Sequence, residues 1–171
     1  RRPPIYTLFP STTLFRSSEC FPNATKWIHS KDWERLSPER RKQFESRLPN
    51  DGQVLDFGCL LLGNHTPGSV VLFHRRSEAL FVGDFVCFFS ESLPTDGIVS
   101  QQVEVLADTL WKCIRDYSDN REHYKARYNF SFEAFMEGLN VLQRFPADIL
   151  CPGHGAVLRA DVSEFLKQFR K

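Results

Sequence analysis

Apolar and polar positions along the chain predict a group of strands followed by a group of helices. Runs rich in β-branched and aromatic residues predict strands at residues 24–30, 58–62, 69–74 and 79–82. The link "RRSE" between the last two strands is short, which predicts an antiparallel hairpin.

The second half of the chain changes to the spacing of amphipathic helices. A first helix is already predicted earlier, with Ser37 as N-cap, Pro38 as first helical residue and an end near residue 48. Further helices are predicted at residues 101–117, at residues 131–145 and after Asp161. A short buried strand at residues 147–151 lies between the last two. The order predicts a layered α/β fold, in which this strand returns parallel to the strand that ends at Val82.

Composition and charge are typical of one globular, soluble domain. Of the 171 residues, 42% are hydrophobic and 25% are charged, and the net charge is +1. This charge gives no sign of a nucleic-acid or membrane partner, and no apolar run is long enough to span a membrane. The five cysteines are odd in number and contain no C-x-x-C pair, which favours a reducing, cytoplasmic location over a disulfide framework.

The first 17 residues, "RRPPIYTLFPSTTLFRS", have a different character from the rest. They closely resemble the translation of a widely used short-read sequencing adapter, with Ile5, Tyr6 and Ser11 as departures. We therefore treat residues 1–17 as non-native and residues 18–171 as a partial domain. The alternative is an organelle transit peptide, which has a similar composition rich in Arg, Ser and Thr.

Three residues with metal-ligating side chains are expected at one edge of the sheet. His65 precedes the outgoing strand of the hairpin, Asp84 follows the returning strand, and His154 follows the strand at residues 147–151. Two imidazoles and a carboxylate form a partial ligand set for zinc or a similar divalent ion. Each residue alone is more typical of an ordinary turn or strand end than of a metal site.

The segments "HTPGS", "LFVGD" and "ILCPGHG" occur in the order of three motifs of the metallo-β-lactamase superfamily, which residues 21–171 resemble. The resemblance implies an αββα sandwich with a site for two zinc ions, or other divalent ions. His65 would belong to the first site and His154 to the second, while Asp84 would bridge both and take part in catalysis. A metal-bound hydroxide would then attack a small-molecule ester, lactone or thioester.

One departure from the superfamily is serious, because the chain contains no H-x-H-x-D-H motif. His29, His74 and His123 are isolated, and we interpret them as surface or strand residues that bind no metal. We therefore expect a domain truncated at its N-terminus, which as written binds metal weakly, is catalytically inactive and dissolves poorly.

Two other functions stay open at this point. An RNA-processing metallonuclease of the same fold would need a basic groove, and only scattered clusters such as "ERRKQ" and "HRR" are present. A non-catalytic binding or scaffold protein would need no complete metal site. The loop at residues 90–102 is a further candidate for the wall of a substrate cleft.

Overall fold

The structure is a computed structural model that describes residues 26–44, 46–88, 98–128 and 130–169. The strands are β1 (Trp27–His29), β2 (Ser46–Leu48), β3 (Asp51–Val54), β4 (Phe57–Leu61), β5 (Val70–His74), β6 (Ala79–Gly83), β7 (Val99–Ser100), β8 (Ile149–Pro152) and β9 (Val157–Arg159). The helices are α1 (Ser30–Trp33), α2 (Pro38–Arg41), α3 (Val103–Asp119), α4 (Arg121–Tyr128), α5 (Phe132–Leu142) and α6 (Val162–Lys167). Residues 1–25, and with them the proposed adapter segment, lie outside the described residues, as does most of the loop at residues 90–102.

Seven strands form one mixed sheet in the order β3-β4-β5-β6-β8-β9-β7. β3 with β4, β4 with β5 and β5 with β6 pair antiparallel, so the predicted hairpin of β5 and β6 is confirmed. β8 pairs with β6 in parallel, with Leu80 opposite Leu150, which confirms the predicted crossover. A second sheet has two strands, β1 and β2, which pair in parallel.

Helices cover one face of the seven-stranded sheet. Side chains alternate between the two faces of a strand, so every second residue points toward the helices. Val71, Phe73, Leu80 and Val82 point to the helical side and are almost fully buried. Their neighbour Phe81 points to the other side and is 41% exposed. β1, β2 and α1 lie on that second side, where they share a cavity of about 370 Å³ with β5.

The helices that cover the sheet bury the stripes that the sequence predicts. The apolar side chains of α3, α5 and α6 form one cluster with the sheet residues. The buried members are Leu106, Leu110, Ile114, Phe132, Phe135, Leu139, Leu142, Val162, Phe165, Leu166 and Phe169. Asp161 caps α6 by accepting a hydrogen bond from the Glu164 N–H over 2.9 Å, as expected.

The helix predicted at residues 37–48 is wrong beyond its first turn. Ser37 does cap the helix, but α2 ends at Arg41. Residues 46–48 form β2 instead, paired in parallel with β1. The helical propensity of a charged segment is a weak preference, and pairing with a neighbouring strand overrides it.

Other boundaries also differ from the prediction. The strand expected at residues 24–30 is described only as β1. β3 forms a hairpin with β4 that alternation alone did not reveal, since its residues are mostly exposed. α4 and β9 were likewise not predicted. Among the described residues, no helix has the length and apolar character needed to cross a membrane.

Candidate metal site at the carboxyl edge of the sheet

Strands β6 and β8 bring Asp84 and His154 to the same edge of the sheet. β6 ends at Gly83, so Asp84 is the first residue beyond it, and His154 is the second residue beyond β8. The two strands are parallel, and their carboxyl ends therefore meet. This edge is where α/β folds commonly build binding sites.

His65 reaches the same edge through the loop between β4 and β5. The loop is closed by the N–H groups of Leu62 and Gly63, which donate to the Ser69 carbonyl over 2.9 and 3.0 Å. Gly63 has φ = 69°, a left-handed conformation that glycine adopts without steric cost. Because β5 runs antiparallel to β6, the loop before β5 lies next to the loop after β6.

The three side chains meet around the carboxylate of Asp84. The Nε2 atom of His65 lies 3.7 Å from Oδ2 of Asp84, and the Nε2 atom of His154 lies 3.5 Å from Oδ1. The side chains of His65, Asp84 and His154 are 27%, 15% and 26% exposed, so a small molecule can reach them. The structure thus brings all three predicted site residues together, with each imidazole facing a different oxygen.

Close packing of the backbone behind Asp84 depends on Gly153. A Cβ atom at this position would lie 2.0 Å from Oδ1 of Asp84 and 2.9 Å from the carbonyl carbon of Gly83. The Gly153 N–H donates to the Gly83 carbonyl over 2.7 Å, which joins the two loops. The "PGHG" segment therefore places glycine where any larger residue would displace the carboxylate.

Burial controls the charge of His65. It lowers the pKa of the imidazole, and this effect is larger than the opposing effects of the Asp84 and Asp32 carboxylates, while His154 lowers the pKa further. The ring is therefore neutral at neutral pH and carries one nitrogen lone pair. Its Nε2 atom is buried and has no hydrogen-bond partner among the residues that the structure describes.

Asp32 supports the loop of His65, and the sequence analysis missed it. Its carboxylate accepts hydrogen bonds from the Thr66 hydroxyl over 2.5 Å and from the Gly68 N–H over 2.8 Å. Thr66 and Ser69 form a turn, in which the Thr66 N–H donates to the Ser69 hydroxyl over 2.8 Å. No local pattern in the sequence indicates that α1 contacts this loop.

The remaining histidines of the described chain make other contacts, although His29 lines a cavity that His65 and Asp84 also line. His29 is buried, accepts at Nδ1 from the Lys31 N–H over 3.2 Å and contacts the side-chain oxygen of Asn50 through Nε2 over 2.7 Å. His74 contacts the Ser77 hydroxyl over 2.6 Å, and His123 is exposed on α4. Both ring nitrogens of His29 are thus used in hydrogen bonds.

Comparison with solved structures identifies the fold. The chemotaxis sensor ODP from T. denticola matches over 84% of this chain and 57% of its own, with 19% identity and a TM-score of 0.56. A flavo di-iron protein from Thermotoga maritima matches over 92% of this chain and 38% of its own, with 17% identity and a TM-score of 0.60. Both of these proteins have the metallo-β-lactamase fold, and this chain has the same fold.

These likenesses establish the metallo-β-lactamase fold and nothing finer, because the identities are low. The DIM-1 metallo-β-lactamase itself also matches, over 92% of this chain and 61% of its own at 17% identity, but its TM-score of 0.46 is too low to support an argument. The chain spans about three fifths of the length of ODP and less of the flavo di-iron protein. No protein-family profile matches the sequence, and no curated protein matches it.

The donors at the sheet edge do not surround a single point. Within the four described ranges, no group of three or more His, Cys, Asp or Glu side chains is arranged to hold one ion. The site consists instead of two histidine–aspartate pairs that share one carboxylate.

Proposed function

We propose that this chain carries part of the metal centre of a metal-dependent hydrolase, with His65, Asp84 and His154 as ligands. The observation that carries the proposal is the approach of two imidazoles to different oxygens of Asp84. The buried Nε2 atom of His65, which has no partner among the described residues, adds support. A buried polar atom is costly to leave unpaired, and a metal ion would satisfy it.

The donor set fits a first-row divalent metal. Imidazole nitrogen and carboxylate oxygen bind zinc and iron alike, so the donors alone do not choose between them. We propose zinc, with two ions in the complete protein, and take iron as the alternative because several proteins of similar fold are named as di-iron proteins. Three donors fall short of the four that tetrahedral zinc takes, so we expect this chain alone to bind the ion weakly.

The chemistry proposed is hydrolysis of a small ester, lactone or thioester. When bound, a divalent ion lowers the pKa of a coordinated water and polarises the bond under attack. Asp84 lies between the two histidines, with one oxygen toward each, and burial keeps His65 unprotonated. Water adds across the acyl bond, which gives a carboxylic acid and an alcohol or a thiol.

Metal titration of the purified chain tests the ligand assignment. Cobalt(II) serves as a coloured substitute for zinc, and its visible absorption reports binding. We expect His65→Ala, Asp84→Asn and His154→Ala each to weaken binding by at least about tenfold. His123→Ala, on the exposed face of α4, is the matched control and should leave binding unchanged. Equal affinity in all four variants would refute the assignment.

The hydrolase proposal is tested on the complete gene product. We would read the natural transcript upstream of the codon for Ser18, express the protein it encodes, and assay chromogenic esters, lactones and thioesters. An H-x-H-x-D-H motif together with activity that Asp84→Asn abolishes would support hydrolysis. A natural reading frame through residues 1–17 without this motif, and without activity, would favour a binding or scaffold role. Salt-dependent RNA binding would favour the metallonuclease.

A further inference from the structure

A cavity with aromatic walls opens directly beside Asp84, on the side away from β1. Its volume is about 450 Å³, within the range of pockets that hold small organic ligands. His65 and Asp84 form one end of it, while the other walls come from α3, α4 and Phe130, two residues before α5. We call it the aromatic pocket, and its remaining lining residues are Asn64, Phe85, Lys112, Cys113, Asp116, Tyr117, Tyr124, Tyr128 and Phe130.

The rings that line the aromatic pocket hold one another in place. The ring of Tyr117 lies 4.9 Å from that of Tyr124 and 4.7 Å from that of Phe130. Behind it, the fully buried Phe135 meets Tyr117 edge to face at 5.3 Å. Such ring pairs are favourable and restrict side-chain rotation, so the wall is formed before a ligand arrives.

A second contact places Phe85 at the inner end of the pocket. Phe85 packs against Phe135 at 5.2 Å and lies against Gly138 of α5, where a Cβ atom would come within 2.3 Å of its ring. Because Phe85 directly follows Asp84 in sequence, this packing fixes the carboxylate relative to the aromatic wall. The reactive end and the apolar wall are therefore parts of one rigid arrangement.

The lining of the aromatic pocket holds one cation and two carboxylates. The Asp116 carboxylate accepts hydrogen bonds from the Tyr124 hydroxyl and, over 2.8 Å, from the side-chain amide of Asn120. Lys112 lies one helical turn earlier on α3 and is exposed. With Asp84 at the end of the pocket, the negative charges exceed the positive one and disfavour an anionic group, whereas the ring faces favour flat apolar groups.

We propose that the aromatic pocket binds an uncharged aryl group of the substrate, next to the acyl carbon that reacts at Asp84. The proposal rests on the hydrolase function proposed above and narrows its substrates to aryl-substituted neutral esters, lactones or thioesters. The ring of the substrate lies against Tyr117, Tyr124 and Phe130, and its carbonyl points to His65 and Asp84. Tyr124 is then a residue that determines specificity.

Binding of an unreactive probe tests the aromatic pocket without any metal. The probe is 2-phenylacetamide, a neutral aryl amide, titrated into the chain in the presence of a chelator and followed by ligand-observed NMR. Acetamide carries the same amide without the ring, and phenylacetate carries the ring with a charge. We expect 2-phenylacetamide to bind more tightly than either by about threefold or more.

Substitutions in the chain test whether 2-phenylacetamide binds in the aromatic pocket. Tyr124→Phe keeps the ring and should keep affinity within about twofold, whereas Tyr124→Ala should lose about threefold to tenfold. Tyr128→Leu keeps apolar bulk without an aromatic ring and should also weaken binding. This variant provides the test if Tyr124→Ala does not fold. Phe81→Ala, on the opposite side of the sheet, is the matched control and should bind like the unmodified chain.

The possible outcomes distinguish a failure of the aromatic-pocket proposal from a failure of the hydrolase proposal. Equal binding of the three probes, or equal binding by Tyr124→Ala, Tyr128→Leu and Phe81→Ala, would overturn the aromatic pocket even if metal binding at Asp84 holds. Ring-dependent binding, together with a complete protein that is inactive on esters, lactones and thioesters, would support the pocket and refute the hydrolase. If the complete protein is active, it should also hydrolyse phenylacetyl esters faster than acetyl esters of the same alcohol.

Discussion

The carboxylate of Asp32 accepts a hydrogen bond from the hydroxyl of Thr66 over 2.5 Å, across a separation of 34 residues in sequence. The same carboxylate accepts from the Gly68 N–H, so one side chain holds both sides of Pro67. A Cβ atom on Gly68 would lie 2.6 Å from Cγ of Asp32, which shows how closely α1 approaches the loop. The position of His65 is therefore set from outside its own hairpin.

Asp32→Ala should destabilise the chain and loosen the His65 loop. The substitution removes both acceptors of a part-buried pair of hydrogen bonds, and we expect a loss of about 1–3 kcal/mol in the free energy of unfolding. Urea denaturation measures the loss, and amide hydrogen exchange at residues 65–69 measures the loosening. Asp108→Ala, an exposed carboxylate within α3, is the control. Equal effects of the two substitutions would show that Asp32 has no special role.

The convergence of Asp84 and His154 could be predicted because it follows from local patterns and one topological rule. The apolar runs of β6 and β8 and the stripe of α3 are visible in the sequence, and a helical crossover is the usual connection between parallel strands. His65 follows from the hairpin in the same way. Each inference needed only the direction of a strand and the position of its end.

The contact of Asp32 and the pairing of β2 could not be predicted, for a common physical reason. Both depend on where the α1 segment lies relative to the main sheet, and nothing within the segment encodes that. The aromatic pocket also depends on α4, whose exposed, charged sequence gives only a weak amphipathic pattern. Long-range contacts between polar side chains leave no periodic signal in a single sequence.

Gly153→Ala should displace Asp84. The added methyl group would meet Oδ1 of Asp84 at 2.0 Å, so the carboxylate or the backbone must move. We expect a loss of stability of about 1–3 kcal/mol and weaker cobalt(II) binding than in the unmodified chain. Gly58→Ala is the matched control, because a methyl group there meets its nearest atom at an ordinary 3.8 Å. Unchanged metal affinity in Gly153→Ala would contradict the close packing described.

Ionisation of the Tyr124 hydroxyl should make the free energy of unfolding depend on pH in the alkaline range. Burial, followed by the hydrogen bond to Asp116, raises the pKa of the Tyr124 hydroxyl to about 12, above its ordinary value of 10.0. The unfolded chain therefore loses this proton first, and the folded state becomes less favourable as pH rises from about 10 to about 12. Urea denaturation across this interval should show a fall that is smaller in Tyr124→Phe. Below pH 10 the two chains should show the same pH dependence.

Asp116→Asn provides the second test of this titration. Without the negative charge and its hydrogen bond, the pKa of Tyr124 should move down toward its ordinary value. Near-ultraviolet absorbance of tyrosinate measures the shift directly. An unchanged titration curve in Asp116→Asn would contradict the role given to the carboxylate.

Phe135→Ala should cost more stability than any substitution considered above, because Phe135 joins the core to the aromatic pocket. Its ring is fully buried and lies 5.2 Å from Phe85, 5.3 Å from Tyr117 and 5.7 Å from Phe130. Truncation of a buried phenylalanine leaves a cavity, and we expect a loss of about 3–5 kcal/mol in the free energy of unfolding.

Two further substitutions separate this loss from the general effect of removing a ring. Phe135→Leu keeps most of the volume and should cost roughly 1.5 kcal/mol or less, while Phe81→Ala removes a ring that is 41% exposed and should cost roughly 1 kcal/mol. Urea denaturation of all three measures the order. Phe135→Leu should also weaken binding of 2-phenylacetamide, since the wall behind Tyr117 loses its edge-to-face contact, whereas Phe81→Ala should not. If Phe81→Ala proved as costly as Phe135→Ala, the helical side would not be the main core of the domain.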